Sequence, residues 1–190
     1  RVYITSDTHA FHVNICRGTT VWTDGFRDFD NPHHMTTQIA ININSTLPKD
    51  AILFHLGDWS FAGKDNIARF RNMLNVKELH LITGNHDEHI EKGNYDHLFT
   101  SRQKYLELEI GKLTFALFHF PIESWNGIAK GWYHLHGHVH SSPENRFGND
   151  RKMDIGLDGN NLFPYKLTDV IDLLKDRRFV SETDHHAHSR

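Results

Sequence analysis

The stretch Gly84-Asn85-His86-Asp87 decides the interpretation of this 190-residue chain. It directly follows residues 78–83, an apolar run that predicts a β-strand. Ligands of α/β proteins bind at the carboxyl ends of strands, in the loops that follow them. An amide, an imidazole and a carboxylate in such a loop are groups that bind metal ions and transfer protons. At average residue frequencies, this tetrapeptide occurs by chance in about one of every thousand chains of this size. Its presence therefore indicates a specific site.

Four more polar motifs lie on either side of the tetrapeptide, and each follows another strand-like run. They are Asp7-Thr8-His9, Gly57-Asp58, the single residue His119, and Gly137-His138-Val139-His140. The first three are weak alone, because Asp-x-His is common in surface loops, Gly-Asp is a common dipeptide and a lone histidine is usually a core residue. Gly-His-x-His is about as rare as the tetrapeptide. Carboxylates bridge metal ions well, whereas imidazole nitrogens and amide oxygens occupy terminal positions. Together the motifs supply seven candidate ligands for two adjacent divalent ions: Asp7, His9, Asp58 (the best bridging candidate), Asn85, His119, His138 and His140.

The apolar periodicity predicts one α/β domain over residues 1–180. Helical segments separate the first three strands, as a βαβ pattern requires. Asn31-Pro32 predicts an N-cap followed by a proline at the first helical position, and Thr168 predicts the cap of the last helix. Strands are predicted at residues 2–6, 51–56, 78–83, 105–110, 112–118, 132–136, 152–157 and 162–167, and helices after Asn31, at 66–74 and at 168–174.

The composition gives no reason to expect a nucleic acid or a membrane as partner. The formal net charge is −3, the pI is near 6.6, and no apolar run approaches the length of a membrane-spanning helix. Cys16 is the single cysteine and cannot form an intrachain disulfide, which favours a cytoplasmic location. We see no signal peptide, but a start without methionine leaves open whether a targeting segment precedes the chain.

Histidine is unusually frequent, with 17 residues. Residues 181–190 carry His185, His186 and His188 and are predicted to form a disordered tail, although this tail is also able to capture metal adventitiously. The histidines outside the motifs, including His55, are interpreted as structural or solvated.

The ordered set of motifs resembles the calcineurin-like metallophosphoesterase superfamily. The resemblance covers residues 4–140 and, with the terminal strands, nearly the whole predicted domain. Residues 6–15, 125–127 and 134–137 also resemble a small single-domain branch of that superfamily. The resemblance implies a two-sheet αββα sandwich, which agrees with the number of predicted strands.

The resemblance also implies a role for each motif residue. Asp7, His9, Asp58 and His140 would hold the first ion. Asp58, Asn85, His119 and His138 would hold the second. His86 would stay off the metals and act on the substrate as a cation, stabilising charge and protonating the leaving oxygen, while Asp87 would orient the His86 ring. Mn²⁺ is the favoured metal because of the resemblance, and Fe, Ni²⁺ or Zn²⁺ suit the same nitrogen and oxygen ligands.

The substrate-facing segments give a weaker prediction. Guanidinium groups suit phosphate and flat rings suit a base or an aryl group, so an aromatic and cationic rim is predicted around the site. The alternative is that these side chains pack the loops against the domain. His12 is expected to contact phosphate or to support His86, with a surface role as the alternative. The candidate substrate-binding residues are His12, Arg17, Arg27, Trp59 and Trp125, together with Trp22 and Phe26 in the divergent segment 16–30.

Two adjacent ions lower the pKa of a bridging water and hold the attacking and leaving oxygens of a displacement. The sequence therefore predicts a phosphoester hydrolase that uses a bridging hydroxide, with a diester of a small or nucleotide-like molecule as substrate. A phosphomonoesterase, including a protein phosphatase, is the alternative, and a nuclease comes third because no basic stripe is visible. A catalytically silent metal-binding scaffold is the alternative from another class. The physiological substrate, the oligomeric state and the pathway lie beyond the sequence.

Overall fold

The chain folds into two β-sheets, and the computed structural model describes residues 1–17, 26–148 and 150–177. The described strands are β1 (Val2–Thr5), β2 (Ile52–His55), β3 (Glu78–Ile82), β4 (Ser101–Gln103), β5 (Tyr105–Ile110), β6 (Leu113–Phe118), β7 (Tyr133–His136), β8 (Lys152–Asp154) and β9 (Tyr165–Lys166). The described helices are α1 (Pro32–Thr46), α2 (Asp65–Met73), α3 (Glu88–Lys92) and α4 (Leu167–Leu174). Short 3₁₀ turns cover Asp96–Leu98, Ile128–Lys130 and Leu157–Asn160.

The first sheet has the strand order β4-β3-β2-β1-β9, in which β9 is antiparallel to β1 and the other neighbours are parallel. The second sheet has the order β5-β6-β7-β8, with β5 and β6 forming an antiparallel hairpin and the other pairs parallel. The hairpin predicted across Gly111 is therefore confirmed. The predicted mixed α/β sandwich of two sheets is also confirmed.

Alternation along the strands of the first sheet builds a core on each of its faces. On one face, Leu53 belongs to a buried cluster with α1 and α2, to which Ile39 and Phe70 contribute. On the other face, Phe54 belongs to a cluster shared with the second sheet, as does Leu135. The helix α4 joins this second cluster through buried apolar residues. The outer face of the second sheet is covered by residues 121–132, whose regular element is the 3₁₀ turn Ile128–Lys130.

The helix ends test the predicted caps. Asn31 caps α1 as predicted, because its side-chain oxygen accepts hydrogen bonds from the backbone amides of His33 (3.0 Å) and His34 (2.9 Å). The cap predicted at Thr168 is wrong: α4 begins at Leu167, and the Thr168 hydroxyl donates to the carboxylate of Asp169. Residues 162–167 form only the two-residue strand β9, and neither α3 nor β4 was predicted.

None of the helices in the described ranges is long and apolar enough to cross a membrane. The predicted tail at 181–190 and the candidate Trp22 both lie outside the described residues.

Candidate metal centre

Parallel pairing brings the ligand-bearing loops to one edge of the sandwich. Thr5 at the end of β1 pairs with His55 of β2, and His55 pairs with Leu81 near the end of β3. The loops that follow these strands therefore leave the sheet side by side. The second sheet is joined to them directly, because the backbone amide of His138 donates to Asp7 Oδ2 over 3.0 Å. The strand-exit placement predicted for the motifs is the one that the structure has.

Glycines in the motifs allow these loops to approach each other closely. A Cβ atom at Gly84 would overlap Asp58 Oδ1, and a Cβ atom at Gly137 would overlap the Ser6 hydroxyl. Any side chain at either position would push the neighbouring loop away. The two glycines therefore belong to the motifs for steric reasons.

Asp7, His9 and His140 form the first group of donor atoms. Asp7 Oδ1 lies 3.6 Å from His9 Nε2 and 3.8 Å from His140 Nε2. One ligand atom from each of the three residues lies within 4.8 Å of the others. Two of the three residues, Asp7 and His9, are buried. The group is thus a compact cluster of one carboxylate and two imidazoles.

Asp58, His119 and His138 form the second group, whose ligand atoms also lie within 4.8 Å of one another. Asn85 belongs with them, because its Oδ1 lies 3.0 Å from His119 Nε2 and 3.0 Å from His138 Nδ1. The structure therefore brings all four predicted ligands of the second ion together.

Asp58 connects the two groups. Its Oδ2 lies 3.5 Å from His9 Nε2 in the first group and 3.5 Å from His119 Nε2 in the second. A carboxylate is able to share its oxygens between two ions, so this position suits the predicted bridging ligand.

The unsatisfied polar atoms of the first group fit a metal ion. Asp7 Oδ1 and His9 Nε2 are buried, and neither has a hydrogen-bond partner within the described part of the chain. An unsatisfied buried polar atom is costly, and a bound cation would remove that cost. Two ligand atoms that each lie about 2.0–2.2 Å from the same ion are roughly 3–4 Å from each other. The distance between Asp7 Oδ1 and His9 Nε2 is in this range. The residues therefore fit a divalent metal with nitrogen and oxygen ligands, and the donor types do not select one metal.

Five of the seven candidate ligands have left-handed backbone conformations. The φ angles are 58° at Asp7, 45° at His9, 58° at Asp58, 71° at His138 and 55° at His140. This region costs an L-residue about 1–2 kcal/mol, so the rest of the fold must hold these residues in place. Such strain is typical of functional sites.

The ionisable groups of the cluster favour charged pairs. Burial raises the pKa of Asp7 and of Asp58, but the neighbouring histidines outweigh it and hold both pKa values below their usual range. Burial lowers the pKa of His119, but its hydrogen bond and charge interaction with Asp58 prevail and raise the pKa to about 9. His119 would therefore have to release a proton when a metal binds.

His86 lies beside the cluster, and its predicted action on a substrate stays a prediction. Its side chain is exposed, and its backbone amide donates to Asp58 Oδ1 over 3.0 Å. The His86 ring centroid lies 5.8 Å from that of His9 and 4.9 Å from that of Phe61. The backbone bond to Asp58 fixes the position of His86 relative to the proposed bridging ligand.

Asp87 does not orient the His86 ring. Its buried carboxylate accepts hydrogen bonds from the backbone amides of Asp58 (2.8 Å), Trp59 (2.9 Å) and Gly84 (2.8 Å). These bonds occupy both oxygens and join the loop after β2 to the loop after β3. Burial raises the pKa of Asp87 to about 6, against the effect of the amide donors. Asp87 is therefore a positioning residue for the two loops.

Asp158 supports the first group, and it was not among the predicted site residues. Asp158 Oδ2 lies 2.7 Å from His140 Nδ1, so it accepts the Nδ1 proton and leaves His140 Nε2 free to bind a metal. Burial raises the pKa of Asp158, but the charge of Arg27 outweighs it and holds this pKa well below its usual range. The only signal in the sequence was an acidic residue after the strand-like run 152–157.

Arg27 belongs to this support and not to the predicted rim. Its guanidinium is buried and forms two 2.8 Å hydrogen bonds to Asp158. It also donates to the backbone oxygens of Asp7 (2.6 Å) and Thr8 (2.9 Å). All of these partners are protein groups, so Arg27 holds the loop after β1 against the turn that carries Asp158.

A buried histidine of β2, His55, also supports the loop after β1. His55 Nε2 lies 2.9 Å from the Thr8 hydroxyl, which donates to the backbone oxygen of Trp59 over 2.8 Å. The backbone amide of Gly57 donates to His55 Nδ1 over 3.2 Å. Burial lowers the pKa of His55 to about 3, so the ring is neutral and structural, as predicted.

Two tryptophans of the predicted rim lie in the core. Trp59 is fully buried, and its indole donates to the backbone oxygen of Ile67 over 3.1 Å. Trp125 packs on the outer face of the second sheet and donates to the backbone oxygen of Trp132 over 3.2 Å. Their large apolar rings are more stable in the core than at an open site, so the rim predicted from them is not the one that the structure has.

Phe26, which was predicted for the rim, and Phe120, which was not, lie against two candidate ligands. Phe26 lies with its ring centroid 5.4 Å from that of His140, and Phe120 lies 4.7 Å from His138. The His12 ring stacks on Phe61, with centroids 3.8 Å apart and an interplanar angle of 9°. Arg17 is exposed and lies 3.7 Å from Asp28. Of the predicted substrate-binding residues, His12 and Phe26 are the two whose rings lie beside the donor groups.

Comparison with known proteins shows which solved structures have a similar fold. No family model matches the chain. The chain is 26% identical over 186 residues to an uncharacterized protein from Methanocaldococcus jannaschii, covering 95% of this chain and 94% of that protein. It superposes on the crystal structure of a protein of unknown function from Aquifex aeolicus with a TM-score of 0.67, 21% identity and coverage of 91% and 98%. The chain shares this Aquifex fold.

Two further structures match less well. A predicted phosphoesterase from Streptococcus pneumoniae gives a TM-score of 0.36 at 14% identity, covering 82% of this chain and 70% of that one. Vacuolar Protein Sorting 29 from Cryptosporidium parvum gives a TM-score of 0.41 at 16% identity, covering 82% and 72%.

Proposed function

We propose that this chain is a dinuclear-metal-dependent phosphoester hydrolase. One observation carries the proposal: Asp58 Oδ2 lies 3.5 Å from an imidazole nitrogen of each donor group, so one carboxylate joins two adjacent metal sites. A single structural ion would need only one of these groups. Paired divalent ions are typical of enzymes that cleave phosphate esters.

The two ions would be held by residues from both sheets. When bound, they supply an activated water and neutralise charge on the phosphate. Mn²⁺ is the metal that we propose, although the donor types also suit Fe, Ni²⁺ and Zn²⁺. The first ion would be held by Asp7, His9, Asp58 and His140, and the second by Asp58, Asn85, His119 and His138.

His86 contributes the proton chemistry. Its exposed ring stands beside the cluster on a backbone that is bonded to Asp58. In the protonated form it would donate a hydrogen bond to the phosphate and pass a proton to the leaving oxygen. His12, whose ring stacks on Phe61 next to His86, would contact the same phosphate.

We propose a diester, of a small or nucleotide-like molecule, as the substrate. A monoester carries more negative charge than a diester and would gain more from a free cation near the metals. Arg27, the buried arginine at the site, is committed to Asp158 and to backbone oxygens. Phe26 lies against the candidate ligand His140 and Phe120 lies against His138, and such aromatic rings suit an apolar ester group. This arrangement favours the diester over the monoester.

Two chromogenic substrates and one variant test the proposal. With added Mn²⁺, we expect faster turnover of bis-p-nitrophenyl phosphate than of p-nitrophenyl phosphate. His86→Ala should retain both metals and lose on the order of a hundredfold or more in kcat. His97→Ala is the matched control, because His97 is another exposed histidine and lies in a 3₁₀ turn.

The outcomes separate the alternatives. Faster turnover of the monoester would indicate a phosphomonoesterase. Silence on both substrates, with two metals bound, would indicate a scaffold. An unchanged rate for His86→Ala would remove His86 from the mechanism.

A further inference from the structure

A cavity of about 410 Å³ opens beside His140, on the side of the first donor group. Its walls combine apolar side chains with a few polar ones, and its volume is within the range of roughly 300–1,000 Å³ that is usual for ligand sites. We call it the His140 cavity. Its main wall residues are Phe26, Phe29, Ser142, Pro143, Asn161 and Leu162.

The charges in the His140 cavity are already neutralised by one another. Arg27 and Asp158 lie in its wall and are bonded to each other in a bidentate pair. Asp158 also accepts the Nδ1 proton of His140. Asp28 lies at the margin, 3.7 Å from Arg17. Among the wall residues that the structure describes, no charge is left to attract a phosphate, so the cavity suits an uncharged group.

Phe26 offers an aromatic surface for such a group. It is 45% exposed, although exposure of a large apolar ring is unfavourable. Its ring meets the ring of His140 edge to face, with centroids 5.4 Å apart and an interplanar angle of 68°. A ring stacked on Phe26 would therefore lie next to a metal ligand.

The opposite wall is held rigidly in a strained conformation. Asn161 and Leu162 have φ angles of 51° and 63°, in the left-handed region. The side chain of Asn42 donates to the Leu162 oxygen over 3.0 Å, and the Leu162 amide donates to Leu157 over 2.9 Å. Strain that the fold maintains is typical of binding sites. The exposed amide of Asn161 is a donor and acceptor for the edge of a ring.

We propose that the His140 cavity is the subsite for an uncharged flat ring, a base or an aryl group, carried by a substrate whose phosphate lies at the metal centre. The inference rests on the proposed function, because it assigns one ester group of the proposed diester. It places specificity mainly in wall residues that are not candidate metal ligands, such as Phe26 and Ser142, beside the one ligand His140.

Binding of two simple phosphates to the Mn²⁺-loaded protein tests the subsite. Phenyl phosphate carries a ring and methyl phosphate does not, and calorimetry measures the affinity of each. We expect phenyl phosphate to bind about tenfold more tightly than methyl phosphate, because the stacking of one ring increases affinity by about this factor. Phe26→Ala removes the stacking surface and Ser142→Trp fills the cavity, so both should abolish most of this preference. Leu173→Ala, at another exposed apolar residue, is the control.

The results distinguish the subsite from the proposed function. Equal affinity of the wild-type protein for the two phosphates, or a preference that survives in both variants, would overturn the subsite. A preference that both variants lose supports it. Turnover of bis-p-nitrophenyl phosphate, measured on the same samples, reports separately on the hydrolase.

Discussion

The two donor groups of the metal centre differ in how the protein holds them. In the first group all three residues have left-handed backbone conformations, and His140 is bonded to the Asp158–Arg27 pair. In the second group Asn85 and His138 are exposed, and Asn85 is an uncharged ligand. The first group adds the charge of Asp7 to that of the shared Asp58. It is therefore the more anionic and the more rigid of the two.

This difference implies unequal metal affinities. A preformed, buried and anionic site has less to reorganise when a cation binds than an exposed site with a neutral ligand. We infer that the first ion binds more tightly and that the second exchanges more readily. In the proposed centre, the shared carboxylate of Asp58 would make each ion depend in part on the other.

The largest expected effect follows from removing the shared charge. Asp58→Asn should weaken both metal sites and lower kcat for the diester by on the order of a thousandfold, because both ions act on the same phosphate. Metal content after dialysis, measured by mass spectrometry, checks the binding. Full occupancy of both sites in this variant would contradict the bridging role of Asp58.

The sequence was sufficient to predict which residues the structure gathers into the two donor groups, since each lies within a few positions of a strand end. Parallel strands bring their carboxyl ends to one edge whatever the details of packing, so errors of a few residues in the strand ends do not move the ligands apart. Asp58 and Asn85 illustrate this: they are 27 positions apart in the sequence and meet through the pairing of β2 with β3.

The surroundings of the ligands were not predictable in the same way. Whether Trp59 points to the core or to the opening depends on three-dimensional packing, which no local pattern records. Arg27 looked like a phosphate-binding group, but its partner Asp158 is 131 positions away. The left-handed conformations at Asp7 and His140 leave no sign in the sequence, because neither residue is a glycine.

A smaller loss of metal affinity, confined to the first ion, is expected for Asp158→Asn. The change removes the charge that pairs with Arg27 and weakens the acceptor of the His140 Nδ1 proton. Loss of such a supporting group usually costs about 10–100-fold in metal affinity. Competition with a chelator should show this loss for the tighter site alone. Asp169→Asn, at a helix residue that is exposed to solvent, is the control. Equal weakening of both sites would show that the two groups are not supported separately.

The smallest loss of catalytic rate is expected for Asp87→Asn. This variant tests how Asp87 holds together the loops that carry the ligands of the second group. The amide would keep one acceptor and turn an NH₂ group toward a backbone donor, where the carboxylate now accepts three hydrogen bonds. We expect the free energy of unfolding to fall by about 1–3 kcal/mol, because buried amides lose their partner. Thermal denaturation in the presence of chelator measures this cost without the metals. The kcat of the metal-loaded variant should fall much less than that of His86→Ala, since Asp87 contacts the loop backbones and not the His86 ring. A variant of normal stability that lost as much activity as His86→Ala would instead restore Asp87 to the role of orienting that ring.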